Sequence, residues 1–252
     1  MKITGKKTVI LFTVISLIGF GSCQMFTTSL GKDLARDQTK QLAKASSAEL
    51  ADALATPKDS KTATAILEVL ATKDTAEIQA LSNEQKAAVL NTALDASVTI
   101  QDLKDQASAL LGEGNTDTNQ IITNICNAVN PVNTAAIVAI LNGDTSSIDA
   151  SSLANASLAL VAQVAKATDV TQVMKNFEGV TIDSSTNIDN TVNQILDGPG
   201  ATEETKANLT AALNTLVALN TRVNNGEEVM VLGVLDIGEL LSSLKENKGG
   251  NK

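Results

Sequence analysis

From about residue 45 onward, apolar residues recur every three or four positions. That period restricts the chain to helices that each bury one face. Leu103, Ala107, Leu110 and Leu111 follow it, and Ile188, Val192, Ile195 and Leu196 repeat the same spacing. Leu209, Ala212, Leu213, Leu216 and Val223 carry it over several turns, while Val170, Val173, Met174 and Phe177 mark a shorter helix. The interior of these helices must be aliphatic, because the chain has no Trp or Tyr and, beyond residue 22, only Phe26 and Phe177. A hydrophobic content of 43% supplies that interior. The expected fold is all-α, a single multi-helix bundle or an array of helical hairpins with about nine or ten helices.

Helix starts agree with the stripes. A side-chain oxygen at the N-cap satisfies an amide that the helix leaves free. Ser46 with Glu49 and Ser82 with Gln85 read as capping boxes, and Asp117 with Gln120 and Asp169 with Gln172 copy the spacing with an Asp cap. Asn130 before Pro131 predicts a helix whose first residue is the proline, where its missing N–H costs nothing. Thr202 followed by Glu203 and Glu204 puts negative charge at the positive pole of another helix. Gly112 and Gly114, Gly143, Gly198-Pro199-Gly200 and Asn225-Gly226 break successive stripes. Two stretches lack a clear period, residues 180–182 and 229–235. The first reads as a short strand or buried turn; helix is favoured for the second, because Ile237, Leu240, Leu241 and Leu244 resume helical spacing.

Two segments resemble each other at an offset of about 70 residues. Residues 64–70 parallel 135–141, and both precede an Asp-Thr pair (Asp74-Thr75, Asp144-Thr145), an isoleucine (Ile78, Ile148) and a serine (Ser82, Ser152). A duplicated helical hairpin and chance similarity of packed hairpins both account for this.

The amino terminus carries an address. Lys2, Lys6 and Lys7 precede an apolar run over residues 9–20, then Gly21, Ser22 and Cys23. This order of parts resembles the signal peptide of bacterial lipoproteins, in the looser form used by spirochaetes; Phe20 occupies the position that family usually gives to Leu. The resemblance covers residues 1–23 only. It implies cleavage between Ser22 and Cys23, with a diacylglycerol on the Cys23 sulfur and a further acyl chain such as palmitate on its amino group. Two other readings stay open. The uncharged run over residues 8–31 is long enough for an uncleaved anchor, and Gly19 and Gly21 suit an ordinary signal peptidase.

On the lipoprotein reading, residues 1–22 are the signal peptide and 23–45 the lipid-anchor site and polar tether. Residues 46–244 form the helical domain and 245–252 a flexible tail. The protein is then expected in the bacterial cell envelope, on the outer membrane or the periplasmic face of a membrane. Removing residues 1–22 leaves 16 basic residues against 28 acidic ones, a net charge of −12. That balance argues against nucleic acid, where affinity comes largely from Lys and Arg on phosphates. Once Cys23 is acylated, Cys126 has no disulfide partner within the chain. It shares a helical face with Ile122, Ile125 and Val129, as a small buried hydrophobe does.

The absence of histidine removes imidazole general-base catalysis, His-liganded zinc and the Ser-His and Cys-His relays. Gly112-Glu113-Gly114 lacks the lysine of a phosphate loop. Residues 115–119 alternate oxygen-bearing side chains but lack the glycine and closing glutamate of a calcium hand, so a helix cap is favoured. The carboxylate pairs Glu203-Glu204 and Glu227-Glu228 read as solvated charges beside turns. No catalytic residue, metal or cofactor is expected. The role expected is a non-catalytic structural or interaction module contacting an envelope or host protein. The alternative is a carrier whose helices enclose an aliphatic cavity for a lipid.

Overall fold

The computed structural model describes residues 42–56, 58–97, 132–177, 180, 182–198, 200–231 and 235–236, which belong to one compact unit. Among them are nine helices: α1 Ser47–Leu54, α2 Ser60–Leu70, α3 Thr75–Gln79, α4 Asn83–Ser97, α5 Ala135–Leu141, α6 Ala150–Ala167, α7 Val170–Phe177, α8 Ile188–Ile195 and α9 Glu203–Asn224. The fold is all-α, as the apolar period requires. The Leu103 stripe, the Asp117 cap, Cys126 and the segments at 112–119 and 237–252 lie outside the described residues, as do Ser22 and Cys23.

The caps read from the sequence form with the expected partners. Ser46 accepts from the Glu49 N–H at 3.2 Å while the Glu49 carboxylate accepts from the Ser46 N–H at 2.8 Å. Ser82 and Gln85 exchange the same two bonds at 3.2 and 3.0 Å. Asp169 caps α7 through the Gln172 N–H, and Thr202 caps α9 through the Thr205 N–H. α9 closes as a Schellman turn: Gly226, at φ +88°, donates to the Val223 carbonyl, and Glu227 donates to that of Arg222.

α6 organises the core. It packs most extensively on α9 and then on α4, and it also touches α7. Ala154, Ala156, Ala159 and Ala162 are fully buried along it, with Leu153, Leu160 and Val164 between them. Small side chains on several faces let neighbouring backbones approach from more than one side. Around this axis α4 also receives α1 and α2, and α9 also receives α5 and α8. The core is aliphatic apart from Phe177, and its first described member is Leu42.

Two expectations need correction. Residues 132–134 are not helical, so the helix expected from Pro131 begins instead at Ala135. The reason lies in tertiary bonds. The buried Thr134 hydroxyl donates to Asn208 on α9 at 2.8 Å, and the buried Val132 N–H reaches the Gln163 side chain on α6 at 3.4 Å. The helix favoured over 229–235 is also absent there: Met230–Val231 (β1) and Leu235–Asp236 (β2) form a two-residue antiparallel ladder, with β1 lying against α6. Val180 and Ile182 are buried, and neither is in a helix or a strand.

The 70-residue similarity falls on equivalent places. Ile66, Val69 and Leu70 of α2 and Ile137, Ile140 and Leu141 of α5 are all buried, as are Ile78 in α3 and Ile148 in the turn before α6. The connections differ. Asp74 caps the short helix α3, whereas Asp144 closes a turn onto Ser146 and Asp149 caps α6.

Candidate functional site

Helix ends converge at one place to leave an open cleft of about 280 Å³. Thr168 ends α6 with φ −111° and ψ −120°, turning the chain so that Asp169 opens α7 beside it. Ile195 and Leu196 close α8 opposite, and the loop from Asp197 through Gly198 to Ala201 leads into α9. Gly200 makes this approach feasible. Its φ is +100°, and a Cβ there would stand 3.2 Å from the backbone and methyl group of Thr168.

The floor is apolar, formed by Val173, Ile195, Leu196 and Ala201, and the rim is polar. On the rim, the Thr168 hydroxyl is spent on the Val164 carbonyl at 2.8 Å. One oxygen of Asp169 accepts the Gln172 N–H at 3.1 Å. The Gln172 amide donates to Asn176 at 2.8 Å, and Asn176 donates to the Ile195 carbonyl at 3.0 Å, which ties α7 to α8. Asp197 makes no hydrogen bond or ion pair among the described residues. The rim therefore offers acceptor oxygens and few free donors.

Four carboxylates at caps and turns have lowered pKa values. The Ser46 backbone N–H and then its hydroxyl hold Glu49 down, and the Thr62 hydroxyl followed by its N–H does the same for Asp59. Glu84 is lowered by its own N–H and then by Ser82, and Asp144 by the Ser146 hydroxyl and N–H, with Lys86 adding a smaller pull. These bonds favour the ionised form, and all four groups are solvated.

The carboxylate pairs noted in the sequence are exposed. Glu203 pairs with Lys206 at 3.3 Å within the first turn of α9, and Glu227 lies 3.8 Å from Arg222. Neither pair reaches the cleft. Among the described residues no three His, Cys, Asp or Glu side chains are grouped to hold a metal ion, and no helix is long and apolar enough to cross a membrane. Sequence reading noted Asp169 only as a cap and Gly198 only as a stop, and it passed over Asp197. The signal available was the turn Asp197-Gly198-Pro199-Gly200, dense in residues that stop helices.

The fold and the cleft define an all-α protein with an open concavity where the ends of four helices meet. Compared with models of known protein families, with characterised proteins and with solved structures, the chain matches none.

Proposed function

We propose that this is an exported lipoprotein, held in the bacterial envelope through acylated Cys23, whose helical body has a non-catalytic structural or protein-interaction role. The observation that carries the anchor is the order of parts ahead of Cys23: three lysines, an apolar run, and two small residues. Several acyl chains on one residue would hold the protein firmly, since each buried CH₂ contributes about 0.8 kcal/mol and a single myristoyl chain binds only marginally.

The interaction role is favoured over lipid carriage by how the aliphatic side chains are used. Leu, Ile, Val and Ala of the described helices pack against one another, and the cleft is small, open and rimmed by carboxylates. An acyl chain finds better company in an enclosed apolar pocket. The acidic balance of the chain is consistent with a body that stays soluble beside a membrane.

Metabolic labelling with palmitate tests the anchor. The wild-type chain is expected to take up label, and Cys23→Ala to lose both label and membrane association. A labelled Cys23→Ala chain, or mature protein with a free Cys23 thiol, would overturn it. Affinity capture from intact envelopes addresses the role, with a specific protein partner expected and co-purifying lipid pointing to the carrier instead.

A further inference from the structure

We infer that the cleft between the ends of α6 and α8 is a docking site for a basic side chain, arginine above all, presented by a protein partner. The inference rests on the interaction reading and names its chemistry. Three observations point the same way.

Size comes first. A space of about 280 Å³ lies just below the range of pockets that enclose a drug-sized ligand, and it suits one long side chain. Next is the division of the surface. Val173, Ile195, Leu196 and Ala201 line the floor, while Asp169, Gln172 and Asp197 stand on the rim. Arginine and lysine match such a surface, with an apolar stem that packs and a charged head that needs oxygen.

The decisive observation is the balance of donors and acceptors. The Thr168 hydroxyl and one Gln172 N–H are already donated within the protein, whereas both oxygens of Asp197 and the second oxygen of Asp169 have no partner among the described residues. Among the described residues no lysine or arginine lines the cleft to neutralise the two carboxylates. A guanidinium, with five N–H donors in a planar fork and no acceptor, complements a rim of carboxylates and can engage one in bidentate fashion. A phosphate or carboxylate ligand would meet like charge there.

The test uses the full chain and a short acetylated, amidated peptide with one arginine among glycines. Its twin carries citrulline, which keeps the shape without the charge. Amide shifts are followed by NMR during titration. The arginine peptide is expected to move Thr168, Gln172 and Leu196 in a saturable way and to bind at least about tenfold more tightly than the citrulline peptide. Asp197→Asn should remove that advantage. Asp169→Asn should weaken binding while keeping α7 capped, because Asn caps as well as Asp. Equal binding of the two peptides, an unchanged affinity in Asp197→Asn, or shifts spread over the acidic surface outside the cleft would overturn the inference. So would a response of the cleft to phosphatidylcholine vesicles in place of the peptide.

The same titration on Cys23→Ala separates this result from the anchor. A cleft that binds the peptide in that variant stands without the lipid. Envelope capture that keeps its partner when Asp197 is changed would leave the interaction role standing and remove the cleft from it.

Discussion

Asn220 is a buried side chain that finds no partner among the described residues. It is 6% exposed on α9. A desolvated amide without a partner costs about 1–3 kcal/mol. Asn220→Leu, which keeps the branching and the number of side-chain heavy atoms, is therefore expected to stabilise the protein by about 1–2 kcal/mol, read as a higher urea midpoint at unchanged slope. A drop in midpoint would mean that the amide does bond in solution. Lys86 presents a milder case: it is 7% exposed, and its ammonium forms neither hydrogen bond nor ion pair among the described residues, with Asp144 the charge that senses it. Its long stem accounts for the burial. Arg222 is better provided for. It donates to the Ile148 and Ser146 carbonyls at 3.0 Å each and so ties the α5–α6 turn to the far end of α9. Local signals of this size were partly legible: Ser46, Ser82, Asp169 and Thr202 cap where their spacing says, because a cap needs only its own first turn. Thr134 was not, since its hydroxyl answers to Asn208, 74 positions away.

Among the elements, α6 has the faintest periodic signature in the sequence. Residues 150–167 carry no charge before Lys166 and many alanines and serines, so the stripe that identifies a surface helix is blurred. A helix apolar or small on every side is a buried one, and burial on several sides is what its neighbours α4, α7 and α9 impose. Ala159 is fully enclosed. Ala159→Leu adds volume that a close-packed site absorbs only by shifting backbone, at a cost of about 1–3 kcal/mol, measurable as a lower unfolding midpoint; an unchanged midpoint would indicate slack between α6 and its partners. The region at 229–236 taught the opposite lesson. Val229 is buried and β1 lies on α6, so tertiary contact and not helical period decides those residues. The 70-residue echo likewise survives in burial but not in connection, since α3 has no helical counterpart after Asp144.

For the whole molecule, charge sets the response to pH. With no histidine, no imidazole titrates between about pH 5.5 and 8. Stability should be flat across that interval. Glu49, Asp59, Glu84 and Asp144 have lowered pKa values when folded, so the unfolded chain takes up their protons first as pH falls. Their contribution is complete above the unfolded carboxylate range and is lost on descending through the folded values, below about pH 4. Thermal melts from pH 8 to 3 check this: a plateau followed by an acid decline is expected, and a step near pH 6.5 would contradict it.

The amino-acid order alone determined that this chain is helical, aliphatic inside and acidic outside, where several of its helices begin and end, and that its first residues resemble an export signal. Those properties depend on neighbours within a few positions, so a linear reading reaches them. The tertiary structure decided which helix became the axis, which polar side chains found partners, and that Asp169 and Asp197 line the same cleft. Twenty-seven intervening residues separate these two aspartates along the chain, and only the packing of α7 on α8 and the tight turn at Gly200 bring them together.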